Sequence, residues 1–406
     1  MPHSHTTSSS PWRNIPRGVW LLGLVSMFMD LSSEMIHALL PLYLVSVLGA
    51  SALTVGIIEG IAEATASIVK IFSGALSDYL GRRKWLAVAG YGLAAVTKPV
   101  FPLASGIVTI TAARFVDRVG KGIRGAPRDA LIADITPEDA RGRSFGLRQA
   151  LDTVGAIGGP LLALAAMAIF ASSFKAAFWI AVIPAVLCVI LIVVGVDEPE
   201  KKGDDAAPRR RVRFSDARRF TSSFWIIVAI AGVLTLARFS EAFLVLRAQN
   251  VGFEVARAPL VMVVMSIVYA ITAYPAGVAL DRGRGAPLLA AGVVALIAAD
   301  IVLALASGAM SVLAGAALWG LHMGLTQGLL AALVAGAAPN ALRGTAFGVF
   351  NLVCGIALLI ASVLAGWLWD AYGPAQTFYV GAAFTVVAGI GLLLRRKDVG
   401  ALGKAV

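Results

Sequence analysis

Long apolar stretches broken by short polar turns run the length of this chain. Gly18 to Met29, Ala176 to Val196, Ile226 to Ala237 and Thr377 to Leu394 carry no charged residue. A helix needs roughly 20 mostly apolar residues to cross about 30 Å of hydrocarbon. Runs and punctuation together predict twelve helical spans, at 17–44, 51–77, 85–104, 107–133, 142–170, 175–196, 222–247, 257–280, 286–307, 310–336, 343–370 and 374–395. The turns between them alternate in charge. Arg13, Arg17, Arg82, Arg83, Lys84, Arg141, Arg143, Arg282, Arg284, Arg343, Arg395, Arg396 and Lys397 fall at the ends of the chain and in the even-numbered loops, while the odd loops hold little beyond Lys175, Arg247 and Arg257. Lys and Arg stay on the cytoplasmic side of a membrane, so the asymmetry predicts cytoplasmic termini and an even span count.

Composition agrees. Apolar residues make up 59% of the chain and charged residues 14%. A soluble chain of this length would need far more polar surface, so the surrounding solvent is lipid. The net charge of +11 lies in short loops, as topogenic charge does, and gives no ground for nucleic-acid binding. Cys188 and Cys354 sit inside predicted spans and read as small packing residues. No cleavable signal is visible, and residues 1–16 are expected to form a disordered cytoplasmic tail. His3 and His5 in that tail read as solvated, and no metal site is expected.

The segment Asp197 to Thr221 mixes eight Lys and Arg residues with six acids. It is too polar to span and reads as a cytoplasmic linker. Around it the halves repeat. Pro137-Glu-Asp-Ala-Arg141-Gly142-Arg-Ser-Phe145-Gly146 returns 202 residues later as Pro339-Asn-Ala-Leu-Arg343-Gly344-Thr-Ala-Phe347-Gly348. Gly74-Ala-Leu-Ser-Asp78 returns at an offset of 203 as Gly277-Val-Ala-Leu-Asp281, followed by Arg282. The expected layout is a bundle at 17–196, a linker at 197–221, a second bundle at 222–395 and a tail at 396–406. The fold class is all-α membrane protein, with twelve transmembrane helices in two pseudo-symmetric six-helix bundles. Parallel repeats of this kind enclose a substrate site near the midplane.

The loop after span 2 reads Gly74-Ala-Leu-Ser-Asp78-Tyr-Leu-Gly81-Arg82-Arg83-Lys84. It resembles the signature loop of the major facilitator superfamily (MFS), G-x-L-x-D-x-x-G-R-R. The resemblance implies a transporter in which Gly74, Asp78, Gly81, Arg82 and Arg83, with the weaker copy Asp281-Arg282, hold a cytoplasmic gate through contacts to the other half. Arg118-Val-Gly-Lys121-Gly122-Ile-Arg124-Gly125-Ala126 resembles the fourth-span pattern R-x-x-q-G-x-g-a-a, which implies a part in proton transfer for Arg118. Gly155-Ala-Ile-Gly-Gly159-Pro160 resembles the antiporter motif of the superfamily's drug exporters, although Ala163-Leu164 replace its closing Gly-Gly. Among MFS groups the motifs stand closest to the drug:proton antiporters.

The charged residues within spans are the candidate chemistry. Asp30, Glu34 and His37 share one face of span 1. Asp30 lies about 20 Å into the helix at ~1.5 Å per residue, near or past mid-membrane. Intramembrane carboxylates are costly unless paired or wet, and by default they mark a pathway. Span 4 adds Arg114, Asp117, Arg118, Lys121, Arg124, Arg128 and Asp129. These cations must face a wet cavity or pair with Asp30, Glu34, Glu59 and Glu63. Two uses fit them, a proton relay or a basic pocket for an anionic substrate. Glu59, Glu63 and Lys70 lie near one face of span 2, and Lys98 is expected at the depth of Glu59, where the bland reading is a packing salt bridge. Arg148 and Asp152 are spaced as an intrahelical pair.

The candidate proton-coupling residues are therefore Asp30, Glu34 and Arg118. The candidate cavity residues are His37, Arg114, Lys121, Arg238, Glu241, Trp319, His322 and Gln327, with Trp319 a possible stacking surface. Gly155, Gly159 and Pro160 form the antiporter-like element. No enzyme signature, phosphate loop or nucleotide domain is present, so a proton gradient is the expected energy source and no cofactor is expected. The leading expectation is proton-coupled antiport that exports a small organic molecule from a bacterial cytoplasm across the inner (plasma) membrane, by a protein working as a monomer. Its alternatives are proton-coupled uptake of an anionic metabolite or metal chelate, and a non-transporting membrane sensor or accessory subunit.

Overall fold

The computed structural model describes residues 15–80, 82–198, 219–339 and 342–394, except the side chains of Ala75, Asp78 and Asp139. Among the described residues all regular structure is helical. The first half holds α1 (Arg17–Ser46), α2 (Ala52–Leu80), α3 (Arg83–Thr97), α4 (Val100–Leu103), α5 (Ile107–Ile135), α6 (Arg141–Ile169) and α7 (Phe174–Gly195). The second holds α8 (Ser222–Ala237), α9 (Ala242–Asn250), α10 (Leu260–Asp281), α11 (Gly285–Ala304), α12 (Ala309–Ala337), α13 (Arg343–Tyr372) and α14 (Pro374–Leu394). They make twelve crossings, because α3 with α4 and α8 with α9 are each one interrupted span. Large apolar side chains such as Val108, Ile183, Ile271, Val294 and Ile360 stand exposed on the outer faces, as a lipid-facing surface requires. The chain is a multi-pass all-α membrane protein.

The interruptions have local causes. Pro99 has no amide hydrogen, so the ladder stops at Lys98, whose N–H turns back to Ala95. In the seventh span the chain leaves the helix at Arg238, and the Ser240 amide donates to Ser362 Oγ of α13 at 3.1 Å. No proline or glycine marks that break in the sequence.

Eleven of the crossings are long and apolar enough to span a membrane by composition alone. The exception is α5, which carries the charges of span 4. It is shielded by packing against α2 and α3, with α1 alongside. Small residues permit this: a Cβ on Gly120 would lie 2.6 Å from the Gly90 carbonyl oxygen, and one on Gly122 would lie 2.6 Å from Val69.

The halves meet most extensively along α2 and α13. A Cβ on Gly56 would lie 2.1 Å from the Ser362 carbonyl oxygen, and one on Gly366 would lie 2.5 Å from that of Ala52. Among the described residues, hydrogen bonds link the halves at the end opposite Arg83 and Arg141, here the far end. Both carboxylate oxygens of Asp370, near the close of α13, accept from the first amides of α2, Ala52 at 3.1 Å and Leu53 at 2.9 Å. Gln249 of α9 donates to Ser46 at the close of α1, at 2.7 Å. A helix on one half is thus capped by a carboxylate of the other, which satisfies two orphan donors and meets the positive end of the α2 dipole.

Asp370→Ala should lower stability by about 0.5–2 kcal/mol, the usual value of a helix cap. Asp370→Asn should recover part of it, because its amide oxygen still accepts. Thermal unfolding in detergent measures both.

Candidate functional site

The charged residues of α5 form a ladder, and carboxylates of α1, α2 and α6 meet it rung by rung. Nearest the far end, Arg114 donates to both oxygens of Glu59, from Nε at 3.1 Å and from an amino nitrogen at 2.7 Å. His37 lies between two acids, with Nδ1 3.3 Å from Glu34 and Nε2 3.5 Å from Glu59. One turn along, Asp117 accepts from Lys98 at 2.7 Å and from Arg118 at 3.1 Å, and Arg118 also donates to Glu63 at 3.0 Å. Arg124 reaches Asp30 at 3.6 Å and lies over the Tyr91 ring at 5.1 Å. Closest to the basic end, Arg128 bonds Ser26 and Asp129, and Arg148 reaches Asp152 at 3.1 Å and Asp129 at 3.5 Å. Arg114, Asp117 and Arg118 are each 1% exposed. Breaking one partner out of such a pair strands a buried charge, which costs more than the intact pair gains.

The pairing separates the candidates. Of the α5 cations expected to line a basic pocket, Arg114, Arg118, Arg124 and Arg128 are held by carboxylates. Lys121 is half-buried and has no polar partner among the described residues. The Arg148–Asp152 pair forms as expected. The bridge expected for Lys98 is different: it goes to Asp117 and to Ser33 at 3.0 Å, not to Glu59. Equal depth did not decide the partner, because Glu59 faces α5 and α1 and is already taken by Arg114.

The glycines of the antiporter-like element lie directly against the α1 acids. A Cβ on Gly155 would sit 2.7 Å from the Met27 carbonyl oxygen and 3.0 Å from Asp30 Cβ. One on Gly159 would sit 2.7 Å from Glu34 Cβ and 2.8 Å from the Met35 amide nitrogen. This element lets α6 press α1 so that Asp30 and Glu34 turn toward α5, and Pro160 continues the same helix.

In the second half, Arg238 and Glu241 flank the break between α8 and α9, half-buried, within electrostatic range of each other and with no hydrogen bond or close ion pair among the described residues. The break lies beside α2, since a Cβ on Gly56 would also meet Phe243 at 3.3 Å. Glu241 stands within electrostatic range of His37, Glu34 and Glu63 across the halves. Two expectations are corrected here. Trp319 is 1% exposed and packs on Phe239 at 5.4 Å between ring centroids, so it offers no stacking surface to a ligand. His322 is equally buried, and its Nδ1 donates to the Gly292 carbonyl at 2.8 Å. Both residues turn into their own half, Trp319 toward Phe239 in the break after α8 and His322 toward Gly292 of α11. Gln327 is half-buried. Asp300 of α11 is wholly buried, and neither carboxylate oxygen has a hydrogen-bond partner among the described residues.

At the basic end, Arg83 pairs with Asp134 of α5 and donates to the Ala130 carbonyl at 3.1 Å. That contact lies within its own half and not across the halves. The amides of Arg83 and Lys84 donate to Glu198, which caps α3. Arg82, Asp281 and Arg282 are exposed, and Gly74 approaches Ala126. Gly81, the Asp78 side chain and most of the linker and tails lie outside the described residues. A cleft of about 500 Å³ at the far end, between α6 and the Glu254–Leu260 turn, contains none of the ladder.

The Major Facilitator Superfamily profile matches residues 22–362 and 242–404. An uncharacterised MFS-type transporter of Methanocaldococcus jannaschii is 30% identical over 387 residues, covering 94% of this chain and 95% of the relative. The multidrug resistance protein MdtH of Cronobacter sakazakii is 29% identical over 145 residues, 36% of each chain. A mutant of the nucleoside transporter NupG has the same fold, with a TM-score of 0.77 at 14% identity, over 93% of this chain and 99% of that one.

Two outcomes test the geometry. Arg114→Met should destabilise by about 3–5 kcal/mol, because Glu59 is left buried and unpaired. Adding Glu59→Leu should restore most of that in a chemical-denaturation series. Gly159→Val should cost about 1–3 kcal/mol by overpacking and should abolish transport while the protein still folds, read by thermal melts and vesicle flux.

Proposed function

Because the chain belongs to the Major Facilitator Superfamily and is a membrane transporter, we propose that it works by alternating access as a proton-coupled antiporter that exports a small organic molecule. The observation that carries this reading is the ladder itself. A pocket for an anion needs cations free to meet it, and most cations of α5 are committed to carboxylates. What the ladder offers instead is a chain of acid–base contacts from Glu59 to Asp152, with Asp30, Glu34 and Arg118 along it. The packing of Gly155 and Gly159 on Asp30 and Glu34 supports the antiporter assignment, as does the partial likeness to MdtH. The far-end links of Asp370 and Gln249 fit a cavity that takes its substrate from the basic end, which we assign to the cytoplasm of a bacterial inner membrane. We assign the monomer as the working unit.

Lys121 and Arg238, which make no hydrogen bond or close ion pair among the described residues, favour a second reading: proton-coupled uptake of an anionic metabolite or metal chelate. Direction separates the two. A ligand found by thermal shift, which raises the melting point by binding only the folded state, should accumulate in inside-out vesicles with an acidic lumen if it is exported. Asp30→Asn and Arg118→Ala should cut that accumulation at least about tenfold, near 1.4 kcal/mol in coupling, while equilibrium binding is retained. Gradient-driven accumulation at the wild-type level in both variants would sink the relay.

A further inference from the structure

The second half holds an acid that the ladder does not reach. Asp300, one turn before the end of α11, is 0% exposed, and neither carboxylate oxygen has a hydrogen-bond partner among the described residues. Helix α11 packs chiefly on α12 and α14, inside its own half. The charged and titratable groups on the surrounding helices are engaged elsewhere. Arg238, at the end of α8, lies within range of Glu241 and of Tyr269 on α10. Arg247 of α9 donates to the carbonyls of Leu303, Ala304 and Ala306 at 2.8–3.0 Å. His322 of α12 is bonded to the Gly292 carbonyl, and Tyr379 of α14 stands toward Arg247. Among the described residues no charged group lies within electrostatic range of Asp300.

What does face Asp300 is also negative. Helix α8 ends at Ala237, and the last carbonyls of a helix have no helical donor. The Arg238 amide turns back to Thr235, and the Ala237 carbonyl accepts no hydrogen bond among the described residues. Gly381 of α14 marks where this helix end meets the acid. A Cβ there would lie 3.0 Å from Asp300 Oδ2, 3.2 Å from the Phe239 ring and 3.3 Å from the Ala237 carbonyl oxygen. A carboxylate and the negative end of a helix dipole thus share one small buried space, which the glycine keeps open. A water molecule would serve both oxygens yet leave the charge uncancelled. An isolated carboxylate in a low-dielectric interior is strongly disfavoured, so the space calls for a positive charge.

We propose that Asp300 and the open end of α8 bind one exchangeable monovalent cation, a proton or a sodium ion. A proton on one Asp300 oxygen neutralises the acid and gives the Ala237 carbonyl a donor. On leaving it passes to water, and no other bond changes. A sodium ion takes its place between the same oxygens. Broken transmembrane helices hold ions in this way, through unwound carbonyls and the C-terminal ends of half-helices. The site is separate from the ladder and does not rest on the antiport reading. It lies under the break that carries Glu241 within range of the first half. A cation that binds one arrangement of the break more tightly than another shifts the population toward it, so the second half acquires an ion-sensitive element of its own.

The test unfolds the full chain with denaturant in detergent micelles, beside Asp300→Asn and Asp300→Leu. Asparagine carries no charge, and its amide still serves the Ala237 carbonyl. Leucine removes the polar group and reports if the asparagine variant does not fold. Two series are run at constant ionic strength: pH without sodium, and sodium chloride replacing choline chloride at alkaline pH. A ligand held by the folded state alone changes the folded-to-unfolded ratio up to about tenfold per tenfold change in its concentration. Above the usual carboxylate range the unfolded chain has already released this proton. If the cation is a proton, the wild-type ratio should therefore fall, relative to the variants, up to about tenfold per pH unit as pH rises, until the site is empty. If it is sodium, the ratio should rise up to about tenfold per tenfold increase in sodium. Either dependence, present in the wild type and absent from the variants, supports the site, and the series in which it appears names the cation. The same dependence in wild type and variants, or a constant difference across both series, overturns it. Neither series reads flux, so failure here leaves the antiport reading untouched.

Discussion

The cost of placing charge in hydrocarbon governs this molecule. Helix α5 holds more ionisable groups than a lipid-exposed helix can carry, and each would cost several kcal/mol if left alone. Two things make it tolerable. Lipid is kept away by α1, α2 and α3, and nearly every charge has an opposite charge at hydrogen-bonding distance. Pairing of this density also fixes geometry. If α2 were rotated by one residue, Glu59 and Glu63 would leave Arg114 and Arg118 together. The ladder therefore specifies helix rotation in a way that apolar packing alone does not.

Close packing follows from the same demand. Short bonds between side chains of neighbouring helices require backbones that nearly touch. Gly120 and Gly122 let α5 sink between α2 and α3, and Gly155 and Gly159 bring α6 onto α1 directly beside Asp30 and Glu34. The second half has few internal charges and packs instead through aromatic and small residues, among them Phe239, Phe243, Trp319 and Phe378. One half is thus an electrostatic scaffold and the other an apolar one. Glu241 at the break in the seventh span and Asp370 at the far end are points where the apolar half presents charge to its partner.

The spans were legible because lipid imposes a length and a composition on any crossing helix. Their ends, the family motifs and the Arg148–Asp152 pair could be read for similar reasons, each set by residues close in sequence. Partners across helices could not. Lys98 and Glu59 sit at comparable depth, yet Lys98 turns to Asp117, because helix rotation is decided by packing that no single segment records. Trp319 and His322 failed in the same way, since repeat symmetry names a helix and not its face. The break at Arg238–Glu241 left no trace in composition, for it is stabilised from outside, by Ser362. The spacing of span 1 set His37 beside Glu34, but its neighbour on α2, Glu59, was hidden in the same way.

The Asp370 cap carries a consequence for how this chain can change. Its acceptors meet main-chain amides of Ala52 and Leu53, which nearly every residue type supplies. Substitutions at those two positions leave the bond intact unless they introduce proline. The tether between the halves therefore places its whole chemical demand on one position in α13 and almost none on α2. Mutational drift at the start of α2 is buffered, while a single base change in the codon for Asp370 reaches both halves at once.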